Sequence, residues 1–165
     1  MTEPSARRRR LAFQSVDEIW PEVDRLSAGC TTVGKWSFAQ ICRHLADTLD
    51  GSIDGFDLSN HRWKRWFLRC RLLAHALRHG IPEGYTVDPG LTPPPNVALD
   101  DSLRRLRRAA QRYARHAGSL KPHPLFGNMP RATWDRVHCV HAAHHLSFVH
   151  VSSDSSTLPD PHGLR

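Results

Sequence analysis

Four histidines, His138, His141, His144 and His145, fall within eight positions of the segment from Trp134 to Phe148, inside a pattern that otherwise reads as helix. A neutral imidazole binds a divalent ion through one ring nitrogen while the other donates to a nearby acceptor, so this density points to metal chemistry. At about 3.6 residues per turn, His141 and His145 stack on one face, and Trp134, Val137 and Phe148 fall within about 40° of His141 on that face. The imidazoles therefore point where a core should be. Two ligands do not make a stable site, and a third has to come from elsewhere in the chain. His138 and His144 lie about 60° to either side of His141, as substitute ligands or as polar flanks. The competing reading is a set of packed core histidines without metal, since the pair lacks the glutamate of the H-E-x-x-H motif.

The elements that must position these groups are helical. Ser15–Val16–Asp17–Glu18 reads as a capping box opening a first helix through Ile19, Val23 and Leu26 to Gly29. Gly34–Lys35–Trp36–Ser37 reads as a turn and cap for a second, with Ile41, Leu45, Leu49, Ser52 and Phe56 as its stripe and an end near Gly55. His44 lies on the border of that stripe, about 60° from Ile41, a flank that can turn inward between packed helices. Arg62 to His79 forms an added aromatic and basic amphipathic helix without acidic residues. Gly80 to Pro95 is an irregular crossover, Asp100 to Ala117 a further helix, and Pro130 suits the first turn of the last one. The expectation is an all-α four-helix bundle with one long crossover and an extra short amphipathic helix. Residues 1–13 form a basic flexible arm, 14–150 a single domain, and 151–165 a polar disordered tail.

The chain has 165 residues, enough for one domain with a substantial core, and 23 Lys+Arg against 16 Asp+Glu give a formal charge of +7. No recognisable nucleic-acid motif accompanies the arginine runs, and the run from Arg104 to Arg115 reads as the solvated face of its helix. An anionic-surface binding role for the Arg62–Arg78 helix is an alternative function, although its packing as a cap with the arginines in water is favoured over membrane-surface binding. Cys30, Cys42, Cys70 and Cys139 have no paired spacing, and no apolar signal core or membrane span is present, so a cytoplasmic protein is expected.

The stretches Gly34–Lys35–Trp36–Ser37–Phe38–Ala39–Gln40–Ile41–Cys42–Arg43–His44–Leu45–Ala46 and His141–Ala142–Ala143–His144–His145–Leu146 together resemble the DinB-like (YfiT-like) metalloenzyme superfamily. With His123–Pro124–Leu125–Phe126–Gly127 and Trp134, the resemblance is closest to a branch known as a domain of unknown function, number fifteen-sixty-nine, over roughly Ser15 to Val149. It implies a divalent metal, zinc, nickel or iron, held by His44, His141 and His145. His144, on the flank of His141, is the alternate ligand by its helical position. The resemblance also implies a low-molecular-weight thiol as co-substrate. Three neutral imidazoles leave a coordination position open, which fits a hydrolase or thiol transferase acting on a small-molecule substrate. Asp47, one turn after His44, and His138 are the candidate catalytic, proton-transferring residues. A noncatalytic metal-binding or structural bundle is the alternative, and a homodimer through the apolar aromatics is compatible with either.

Overall fold

A computed structural model describes residues 8–56, 69–82, 84 and 89–152. Its helices are α1 (Ile19–Ser27), α2 (Phe38–Asp54), α3 (Arg69–His79), α4 (Leu99–Arg115) and α5 (Arg131–Leu146), with 3-10 turns at Val16–Glu18 and Pro89–Leu91. Two short strands, β1 (Cys30–Thr32) and β2 (Val149–Val151), pair antiparallel with Cys30 opposite Val151 and Thr32 opposite Val149. The fold is thus mainly helical, as expected, with a small sheet that was not. Three-residue strands are too short for an alternating pattern to declare itself.

The start of α2 follows the expected local chemistry. Ser37 accepts from the Gln40 amide, and the Gln40 side chain accepts from the Ser37 amide, so both halves of a capping box form. With the helix phase set there, Ile41, Cys42, Leu45, Ala46 and Leu49 are buried, and they join Leu106, Ala109 and Tyr113 of α4 and Ala142 and Leu146 of α5 in one core. A fully buried leucine such as Leu146 contributes roughly 1.5–3 kcal/mol relative to exposure. Outside this core, Asp47, Asp50 and Asp54 on α2 meet Arg105 and Arg112 on α4. Part of the arginine face expected to be merely solvated therefore pairs across the helix interface.

Several boundaries differ from expectation for identifiable reasons. The Ser15 capping box does not form: Glu18 accepts instead from the Gln14 amide, and the helix proper begins at Ile19. Pro21 explains the shift, because it has no N–H to offer and is tolerated only within a first turn. Pro130 stands just outside α5 as its N-cap, one position before the expected first turn. The last helix stops at Leu146, so Phe148 lies beyond the helical face on which it was placed.

Part of the arm expected to be loose is pinned. The Arg9 amide donates to the Ser147 carbonyl at 2.8 Å, and its side chain reaches Glu22 and the Leu146 carbonyl. Leu11 and Phe13 pack against the core. The expected Arg62–His79 helix is seen from Arg69 onward, its earlier residues lying outside the described ones, as does the tail from 153. Within the described part of the crossover, the 3-10 turn at Pro89–Leu91 is the feature that matters below. No described helix is long and apolar enough to cross a membrane.

Candidate metal centre

His44 is buried on α2, and His141 and His145 project from α5 toward it. The ligand-capable nitrogens of the three all lie within 4.8 Å of one another. His141 Nε2 is central, 3.1 Å from His44 Nε2 and 3.0 Å from His145 Nε2. His44 and His145 are buried residues, and His141, intermediate as a whole residue, has its ring enclosed between them.

The surroundings orient these rings. His44 Nδ1 lies 2.9 Å from the Leu91 carbonyl, which can only accept, so Nδ1 carries the proton and Nε2 presents its lone pair to the cluster. Trp36, in the turn before α2, stacks on His145 at 5.3 Å between centroids and 8° between planes, and its ring is 4.8 Å from that of His44. The indole thus covers two of the three imidazoles.

Hydrogen bonding alone does not satisfy this arrangement. If His141 Nε2 carries a proton, one hydrogen faces two short contacts. If it carries none, its lone pair meets the lone pair of His44 Nε2. A cation shared by all three lone pairs resolves both cases, and nitrogens held ~2.0–2.1 Å from one tetrahedral centre stand ~3.3 Å apart, close to the two short separations. The donor set therefore fits a divalent ion.

The electrostatics agree with neutral donors. Burial lowers the proton affinity of His44, opposed by its bond to Leu91 and by the charge of Asp47. Burial also takes His141 and His145 well below the ordinary histidine range, with repulsion from neighbouring imidazolium charge adding to it. Near neutral pH all three keep a lone pair available.

The other expected residues lie elsewhere. His144 Nδ1 is 3.0 Å from the Ile81 carbonyl and 3.1 Å from an Arg8 nitrogen, and its ring meets His145 edge-on at 4.9 Å. Burial, followed by the Arg8 charge, lowers its pKa to about 4. Asp47 accepts from Arg43 at 3.0 Å and from Arg105 at 2.8 Å. His138 is packed on Trp134 at 5.1 Å and edge-on to Tyr113 at 4.8 Å, its buried Nε2 without a hydrogen-bond partner among the described residues. Burial, then the neighbouring His123, brings its pKa down to about 3. Neither Asp47 nor His138 belongs to the convergent nitrogen cluster.

Three contributors had no assigned role in the sequence reading. The Leu91 carbonyl is a backbone group in an irregular segment and leaves no residue-type signal. Trp36 stands beside the capping motif but reads as a turn residue. Arg8 was one of four consecutive arginines. A groove of about 600 Å³, lined by Trp20, Arg107, Tyr113 and Arg131 among others, lies apart from the histidines.

Fold and site together define a mainly helical protein with a candidate three-histidine metal centre. The chain belongs to the family described as protein of unknown function (DUF1569), whose model matches residues 5–152. No curated protein and no solved structure matches the chain.

Proposed function

We propose that this protein is a divalent-metal-dependent enzyme of the thiol-transferase or hydrolase type, built on a DinB-like four-helix bundle of α1, α2, α4 and α5. The observation that carries the reading is the convergence of three imidazole nitrogens whose two shortest contacts hydrogen bonds cannot both satisfy. His44, His141 and His145 would hold the ion, which when bound lowers the pKa of a coordinated water or thiol and so supplies a nucleophile near neutral pH.

The chain's own groups define the rest. Leu91 holds the His44 tautomer, as outer partners of metal-bound histidines generally do. Trp36 restrains His145 and excludes water from one side of the cluster. Asp47 raises the proton affinity of His44 through its charge, and its pairing with Arg43 and Arg105 favours that electrostatic part over proton transfer.

Elemental analysis of tag-free protein after Co²⁺ reconstitution tests the metal. One ion per chain is expected in the wild type and a large loss in each of His44→Ala, His141→Ala and His145→Ala. Equal, negligible loading of all four would refute it. The thiol branch is read separately: a small thiol added to the Co²⁺ protein should produce a sulfur-to-cobalt charge-transfer band. If no thiol produces one, the hydrolase branch alone stands.

A further inference from the structure

Arg8 joins three segments beside the histidine centre. Its Nε donates to Ser147 Oγ at 2.6 Å, one terminal nitrogen donates to the Ile81 carbonyl at 3.3 Å, and the other lies 3.1 Å from His144 Nδ1. Its guanidinium carbon stands 4.9 Å above the Phe148 ring. All these partners are neutral. A guanidinium has five N–H groups, and among the described residues these contacts leave at least one free on each terminal nitrogen. Two such donors match the two oxygens of a carboxylate.

The position is informative as well as the chemistry. His144, which touches Arg8, packs edge-on against His145 of the triad. Three neutral imidazoles add nothing to offset a divalent charge, and among the described residues no carboxylate pairs with Arg8. Such a site favours a ligand that brings its own negative charge.

We propose that Arg8 anchors the carboxylate of a small organic acid whose far end reaches the histidine centre, an inference that rests on the metal reading above. Arg8 is then a binding residue that selects substrate, and the ordered segment carrying it forms part of the site wall.

Full-length Co²⁺-loaded protein titrated with glutarate and with acetate, followed by cobalt d–d absorption, provides the test. Glutarate should bind at least about tenfold tighter than acetate, the worth of one charge-assisted hydrogen-bonded anchor. In Arg8→Gln that advantage should vanish with cobalt stoichiometry unchanged, and Arg8→Lys, which keeps the charge but loses the fork, should be intermediate. Equal affinities in the wild type, or an advantage that survives in Arg8→Gln, would overturn the proposal. If cobalt fails to load, the metal reading fails, and the anchor is still read in metal-free wild type by ¹⁵N NMR. A saturable glutarate shift of the Arg8 Nε–H supports the anchor and its absence overturns it. The same resonance decides the matter if Arg8→Gln does not fold.

Discussion

Two histidine pairs with the same spacing behave differently in this protein. His141 and His145 on α5 have ring centroids 4.6 Å apart, and His75 and His79 on α3 have theirs 4.8 Å apart. The second pair is exposed, whereas the first meets His44, a carbonyl that fixes the His44 tautomer, and an indole that covers two of the rings. Helical spacing brings two nitrogens within reach of an ion, but the third ligand and the groups behind it distinguish a site from a coincidence.

The largest effect should come from breaking the triad itself. His44→Ala, His141→Ala or His145→Ala should weaken Co²⁺ binding by about 100-fold or more, since removing even an outer partner commonly costs 10–100-fold. His75→Ala and His79→Ala should leave the tight site intact in the same calorimetric titration. If His79→Ala depletes the metal as fully as His145→Ala, the comparison collapses. Trp36→Phe sharpens it from the other side: affinity should fall by up to about tenfold as the cover is reduced. Metal-dependent quenching of tryptophan fluorescence should largely disappear with it.

Acid should separate the buried histidines of the α5 region from any exposed one. Burial holds His123 at about 4 and His138 at about 3, against an ordinary value of 6.5. Below 6.5 the unfolded chain takes up protons that the folded chain refuses, so stability is complete above that value and declines as pH falls toward 4 and then 3. Urea midpoints of metal-free protein should therefore be lower at pH 5 than at pH 7.5. In His138→Phe the dependence should be shallower, with metal loading retained. A dependence as steep as in the wild type would remove His138 from the explanation.

The smallest effect is expected at Asp47. Asp47→Asn weakens a partly exposed ion-pair group between α2 and α4, worth no more than about 1 kcal/mol, and less in high salt. Chemical denaturation with and without salt measures it. A large loss of metal in Asp47→Asn would instead give the carboxylate a direct part in the centre.

The parts of this arrangement visible in the sequence were those written in residue type and period. His141 and His145 follow from helical spacing, and Ser37 with Gln40 announces the start of α2. His44 read only as a flank, and its identification as a ligand came through the resemblance. The bond from His44 to Leu91 joins groups 47 positions apart through a main-chain carbonyl, which no side-chain pattern encodes. Pro21 displaced the first helix, a local rule that overrides the attractive Ser15–Glu18 spacing. Phe148 was assigned to α5 because its period fitted, although it lies in the turn between α5 and β2. Arg8 was hidden by its neighbours, since one arginine among four carries no mark of the tertiary contacts that single it out.

The contact between His44 and His141 spans 97 positions of sequence. An ion captured there acts as a removable cross-link that closes a long loop, and loops of this length carry a large closure entropy in the unfolded chain. The cost of bringing α2 to α5 would then be shared between core packing and coordination. Metal supply would govern how long the folded chain persists as well as what it can catalyse, and a chelator would shorten its lifetime even with no substrate present.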